Sequence, residues 1–303
     1  MSPFKHIYIE NLFTEQHFNS IIASPEIHAP AASTDEQLIN NLLQVGFKPI
    51  PFPGCITDAK KYIAWRRGKR MVKHHSACEG FGMALRLYEP RTEILAQVNK
   101  FLVSDEFNKA IALKFDLDFS VCTVDTGIQK YLDGYEISPH PDIRKKAATF
   151  MVNINPNMHS ETSDHHTHYL RFKEERKYVQ RFWEGNPDIN RCWVPWDWTE
   201  TSFQQTKNNS IVIFAPSNDT MHGVKARYDH LITQRTQLYG NLWFKEAKTR
   251  GVVDWEQLDF QAALSTKRPR KSVKQTVASL LPTKVRTGIK SLLGEKTIGK
   301  RNI

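Results

Sequence analysis

Cysteine is scarce and unpatterned in this chain: Cys55, Cys78, Cys122 and Cys192 are scattered, with no Cys-x-x-Cys pair. That spacing offers neither a disulfide framework nor a thiolate metal cage, and reduced thiols in a cytoplasmic protein are the expectation. No uninterrupted apolar run approaches the ~18–20 residues that a membrane helix requires. Met1 to Asn11 carries Lys5 and Glu10 but no apolar h-region, so no signal peptide is expected. No segment recurs along the chain, which argues against solenoid and array architectures. Net charge is also missing from most of the chain. The formal total is +10, yet Lys267 onward holds eleven basic residues against the single acid Glu295, so residues 1–266 balance to zero. A neutral body argues against an enzyme with a basic nucleic-acid groove and assigns any anionic partner to the tail.

What is present suits a soluble protein with a substantial core: 303 residues, 40% of them hydrophobic and 24% charged. Residues 4–9 alternate as an opening strand. Thr14 caps a helix through Ile22 that buries Phe18 and Ile21. A second helix opens at residues 33–37 with Leu38, Ile39, Leu42 and Leu43 as its apolar stripe. Residues 47–57 are irregular, and residues 60–75, basic and polar, read as a loop near the site. Residues 83–88 read as a strand. Residues 92–113 read as one or two amphipathic helices, with Ile94, Val98, Phe101 and Leu102 buried on the first and Phe107, Ala110 and Ile111 on the second. From Phe119 to about Phe244 the pattern changes to short strands at 119–132, 147–154, 168–172, 210–214 and 236–244, which predicts a β-sandwich or barrel. In the last of these, Arg235, Gln237, Tyr239, Asn241 and Trp243 fall on a polar side opposite Thr236, Leu238, Gly240, Leu242 and Phe244. The expected division is one domain over 1–265 and a basic amphipathic tail over 266–303. Within the domain, 1–118 is a helical and strand buttress and 119–247 a β core with an insertion at 156–209.

The chemistry concentrates at 129–142, which ends in His140-x-Asp142. Two histidines and one carboxylate are the ligand set that holds a non-haem iron(II) on one face and leaves other positions open. In an extended chain residues i and i+2 point to the same side, so His140 and Asp142 can share a metal, with His222 as the third ligand. Arg235 follows His222 by thirteen positions, and an antiparallel return would bring both into one cavity from neighbouring strands.

The ordered set Tyr131-x-x-Gly134, Pro139-His140-x-Asp142, the strand 149–155, Ser210 to Pro216, His222-Gly223-Val224 and Arg235 resembles the iron(II)- and 2-oxoglutarate-dependent oxygenases, prolyl-hydroxylase-like branch, over residues 119–244. The resemblance implies a double-stranded β-helix (jelly-roll) core, mainly β with supporting helices, and an α-helical N-terminal region. It implies iron(II) on His140, Asp142 and His222, with Arg235 clamping the distal carboxylate of 2-oxoglutarate through its planar fork. Tyr131 is similar to a tyrosine that contacts the same co-substrate, and a core role for it stays open. The activity implied is hydroxylation with release of succinate and CO2, with ascorbate as a stimulant. The carboxylate at Asp142 favours hydroxylation over halogenation.

Other readings stand beside this one. Asp164 to His168, with Glu174, is a rival cupin-type ligand series, though surface or substrate-facing histidines account for it better. Arg144 is either a solvated arginine or a contact for an anionic substrate. Trp183, Trp193, Trp196 and Trp198 form either a packed lid or a platform for a ring substrate. The tail spaces Val273, Val277, Leu280 and Leu281 helically among basic residues. It reads as a disordered solubilising segment, as a peripheral membrane contact at the inner surface, or, least well, as a nucleic-acid arm. A glycan, lipid-linked saccharide or small-molecule substrate is the leading expectation, with a protein side chain next. The competing class is a non-catalytic jelly-roll or cupin-like binding module.

Overall fold

The computed structural model describes residues 3–68, 76–190 and 192–246, so the tail from 266 lies outside the described residues. Strand β1 (Ile7–Glu10) leads into helix α1 (Glu15–Ile22), followed by α2 (Asp35–Gln44), the two-residue β2 (Lys48–Pro49) and α3 (Ala59–Arg67). Next come β3 (Ala84–Leu87), α4 (Glu93–Leu102) and α5 (Asp105–Lys114). Four of these helices begin where a side-chain oxygen can accept an otherwise unpaired first-turn N–H. Thr14 accepts from His17, Thr34 from Gln37, Asp58 from Lys61 and Ser104 from Phe107.

The β core then runs β4 (Cys122–Tyr131), β5 (Glu136–His140), β6 (Lys146–Asn153) and β7 (Thr167–Phe172). A short helix α6 (Tyr178–Glu184) precedes β8 (Thr199–Gln204), β9 (Ser210–Phe214), β10 (His222–Lys225) and β11 (Arg235–Phe244). One sheet has the order β1-β9-β6-β11-β4-β3-β2 and the other β5-β10-β7-β8. The eight strands from β4 onward therefore interleave between two antiparallel sheets, the double Greek-key wiring of a jelly roll. The N-terminal segment adds β1 to one edge of the larger sheet and β3 and β2 to the other.

The larger sheet is covered on both faces, and its central strands read accordingly as nearly continuous apolar runs. On the outer face Phe150, Val152, Ile211, Ile213, Leu238 and Leu242 pack with Phe18, Ile21, Leu38, Leu42, Leu95 and Val98 of the helices. Each such side chain stabilises the fold by ~1.5–3 kcal/mol when fully buried. Arg235, Gln237, Tyr239, Asn241 and Trp243 face inward and line a cavity between the sheets, so the polar and apolar sides of the last strand divide as its alternation predicts. Gly240 sits on the outer face, where an added Cβ would fall 2.1 Å from the Phe150 ring. Gly240→Ala is therefore expected to destabilise the protein by about 1–3 kcal/mol through overpacking, read as a lower denaturant midpoint with an unchanged slope.

Residues 60–67 differ from the expected loop. They lie in α3, which buries Tyr62 and Ile63 while Lys60, Lys61 and Arg67 face outward and blur the periodicity; residues 69–75 lie outside the described residues. Arg66 reaches Asp35 of α2 (2.5 Å) and Asp133 (3.2 Å) beyond β4. His230, fully buried, donates from Nε2 to Asp35 Oδ1 (2.9 Å) and accepts the Asp133 N–H at Nδ1 (3.1 Å). This network ties two N-terminal helices to the loop that leads into Arg235. Leu43 and Phe101, expected on buried stripes, are 41% and 45% exposed, and Ala110 is exposed too. Leu42 and Leu102 beside the first two, with Ile111, take the core positions. Residues 156–209, expected as an insertion, carry two of the eight core strands, β7 and β8. Among the described residues no helix is long and apolar enough to cross a membrane.

Candidate metal centre

His140 ends β5 and His222 opens β10, and these antiparallel strands pair the two residues directly. Their rings lie 4.3 Å apart between centroids. Asp142 reaches them differently from the extended geometry expected, because it sits beyond the end of β5 at φ 68°. Aspartate is among the few non-glycine residues that adopt this left-handed conformation readily. His140 Nε2 is 3.6 Å from Asp142 Oδ1, and His222 Nε2 is 3.7 Å from Asp142 Oδ2. All three residues are buried, with ligand atoms within 4.8 Å of one another; no other such group occurs among the described residues.

The proton positions suit a metal. His140 Nδ1 is 2.8 Å from the Ser138 carbonyl and His222 Nδ1 is 3.0 Å from the Thr220 carbonyl. A carbonyl only accepts, so each Nδ1 carries a proton, and a neutral ring so held has its Nε2 lone pair on the Asp142 side, free for a metal. Burial, with His140 alongside, pushes His222 down to about 3, so this imidazole stays neutral. Burial would raise Asp142, but the adjacent Lys146 ammonium holds its carboxyl well below the usual range. Lys146 Nζ donates to Asp142 Oδ1 (2.7 Å) and to the Tyr239 hydroxyl (2.6 Å), and Thr149 Oγ1 donates to Asp142 Oδ2 (3.0 Å). The sequence reading missed Lys146 and Thr149. Only the four-residue step from Asp142 to Lys146 hints at the pair, and a surface lysine would look the same.

Arg235 opens β11, pairs with Tyr131 across the ladder and is 2% exposed. Its guanidinium lies 4.2 Å from the Tyr131 ring centroid, an attractive arrangement for a desolvated cation. Arg235 Nη2 donates to Thr167 Oγ1 (2.8 Å) on the facing sheet and to Gln237 Oε1 (3.0 Å). Its Nη1 is buried with no partner, which costs the full desolvation of a charged N–H unless an anion arrives. His222 and Arg235 thus enter one cavity from opposing sheets, rather than from neighbouring strands as expected. The cavity measures about 420 Å3, within the range of small-molecule sites, and its walls include Tyr131, Tyr135, Ile137 and Val224.

The other candidates resolve differently. His165 and His166 are buried rather than surface or substrate-facing, and each places Nε2 on a backbone carbonyl, of Ser160 and Glu161 respectively. His168 is half-buried against Thr201 and Gln204, and Glu174 is exposed, so the rival ligand series does not converge. Burial pushes His165 down to about 2 and His166 to about 4. Both therefore stay neutral in the folded chain while the unfolded chain takes up protons below about pH 6.5. Their stabilisation is complete above that pH and is lost as pH falls toward 4, with a slope approaching ~3 kcal/mol per pH unit. A thermal midpoint that holds steady from pH 7 down to pH 4 would contradict this.

Arg144 is neither solvated nor free for a substrate. It is 6% exposed and donates to the Trp183, Asn186 and Ile189 carbonyls, fixing the segment after α6. Trp183 packs with Leu170, Phe172 and Met221, while Trp196 donates to Glu136 Oε1 (2.8 Å). Of the four tryptophans only Trp193 lines the cavity.

No family model and no curated protein matches the chain. Among solved structures it is similar to a Pseudomonas putida prolyl-4-hydroxylase at 9% identity, over 80% of this chain and 94% of that one, with a TM-score of 0.43. Similarity to EvdO2 from Micromonospora carbonacea var. aurantiaca has 10% identity over 82% and 92%, with a TM-score of 0.39. An oxidoreductase of the 2OG-Fe(II) oxygenase family from Burkholderia pseudomallei is similar at 8% identity over 56% and 70%, with a TM-score of 0.29.

Proposed function

We propose that this chain is an iron(II)- and 2-oxoglutarate-dependent oxygenase that hydroxylates its substrate. One observation carries the proposal: a single cavity joins a buried His-Asp-His trio, proton-ordered to present lone pairs, to a buried guanidinium with an unpartnered N–H. His140, Asp142 and His222 would hold the metal, and two histidines with one carboxylate suit iron(II) with positions left open. With O2 and 2-oxoglutarate, iron would supply the oxidising chemistry that places a hydroxyl on a substrate C–H bond while the co-substrate becomes succinate and CO2.

The remaining roles belong to the chain. Arg235 Nη1, the nitrogen left unpartnered while Nη2 is held by Thr167 and Gln237, donates to the distal carboxylate of the co-substrate and orients it, a pairing that is strong because donor and acceptor are both charged. Tyr131 supports the guanidinium from its ring face, and Tyr135, Ile137 and Val224 keep water away from the charged pair. Lys146 and Thr149 fix the Asp142 carboxylate, and the Ser138 and Thr220 carbonyls fix the imidazoles. Succinate formation from 2-oxoglutarate with iron(II) and ascorbate tests the reading. A purified protein that binds no iron and yields no succinate, coupled or uncoupled, is instead a jelly-roll binding module.

A further inference from the structure

The far end of β11 from Arg235 is built for a different ligand. Asn241 lies six residues along the strand, about 20 Å at strand rise. It pairs with Asp125 on β4 and Thr149 on β6. Asn241 is fully buried; because Thr149 Oγ1 gives its one proton to Asp142 Oδ2, the amide nitrogen is the group that meets Thr149 Oγ1 (3.2 Å), and the amide oxygen is left as an open acceptor. Trp193 Nε1, on the same cavity, is also buried without a partner. Asp125 has a side chain 35% exposed and binds Arg86 Nη1 through Oδ2 (3.3 Å). Trp243 and Tyr239 add ring surface to the same wall.

The charges there are already spoken for. The cavity's cations, Arg86, Lys146 and Arg235, are matched in number by Glu79, Asp125 and Asp142. Arg86 holds Asp125, and Lys146 holds Asp142. On the proposed function Arg235 serves the co-substrate, so among the described residues no cation of the cavity is left for a substrate phosphate or carboxylate. The open valences are one neutral N–H donor, one amide acceptor and one carboxylate acceptor. A hydroxyl both donates and accepts, and satisfies either kind.

We propose that this end of the cavity binds the substrate as an uncharged polyhydroxylated ring, a neutral sugar or close relative. Trp193 Nε1 donates to a ring hydroxyl, the Asn241 amide oxygen and Asp125 accept from others, and Trp243 lies along the ring's C–H face. The inference deepens the function proposed above and rests on it only for the assignment of Arg235.

The test is saturation-transfer NMR on the full chain, with and without manganese(II) and 2-oxoglutarate. The probes are neutral methyl glycosides of glucose, galactose, mannose and xylose, set against glucuronate, glucosamine and glucose 6-phosphate. The expected result is binding of at least one neutral glycoside at millimolar concentration, tighter than any charged sugar. Trp193→Phe keeps the ring and deletes only the N–H, while Asp125→Asn keeps the shape and removes the charge. Each is expected to weaken that glycoside about tenfold, the worth of one hydrogen bond. Neutral glycosides that bind to a protein unable to take manganese or 2-oxoglutarate uphold the subsite and sink the oxygenase reading. A protein that binds both of those but no neutral glycoside, or that prefers the phosphate or the amine, overturns the subsite alone. Unchanged glycoside affinity in both variants overturns it as well.

Discussion

Arg235→Leu is expected to raise the 2-oxoglutarate requirement by two to three orders of magnitude while leaving metal binding intact. The guanidinium is buried and its Nη1 has no partner, so a carboxylate meeting it forms a desolvated, charge-assisted pair. Truncating one member of such a pair costs about 2–5 kcal/mol, or roughly 30- to 4,000-fold. Stability should move the other way. Without an anion, burial pushes the Arg235 pKa down, the mark of a charge held at a cost, and replacing buried charge with an apolar side chain of similar volume is often neutral or stabilising by ~1–4 kcal/mol. The variant should therefore melt at or above the wild-type temperature when no ligand is present. Unchanged co-substrate affinity would remove Arg235 from the clamp. A large fall in the unliganded melting temperature would make it a structural residue.

His222→Ala carries the largest effect on the metal, and His140→Ala should match it. Outer-shell partners of metal ligands are worth 10–100-fold in affinity, so losing a direct ligand should exceed about 100-fold and abolish turnover. Metal content after dialysis and calorimetric titration with iron(II) or manganese(II) read the change without depending on activity. Wild-type metal content in either variant would take that residue out of the site. The two should behave alike because they are partners in one register pair, each with Nδ1 held by a carbonyl two residues back.

Much of this was legible in the sequence because it lies in patterns with a physical period. The two-residue alternation of β11 separated cavity from core, and the helix caps at Thr14 and elsewhere marked where helices start. The trio and Arg235 were found as residue types in order. What stayed hidden has no local signature. Strand β8, Thr-Glu-Thr-Ser-Phe-Gln, is a mostly exposed edge strand with little apolar alternation to betray it. Strand β5 contains Pro139, which argues against a strand by its missing N–H. Helix α3 disguises its buried Tyr62 and Ile63 among five basic and aromatic neighbours. Lys146 and Asn241 draw their meaning from what faces them across the sheets, which spacing along the chain does not encode.

The wiring of the larger sheet limits how the molecule can be cut. Residues 1–118 supply three of its seven strands and the helices that cover its outer face. Asp35 and Arg66 from the same segment hold the loop before Arg235 through Asp133 and His230. Expressed alone, residues 119–247 would present two bare strand edges beside an apolar sheet face, a surface that recruits other chains. The β core cannot be minimised into an independent module, and a graft of this candidate site onto another scaffold must carry its N-terminal third along.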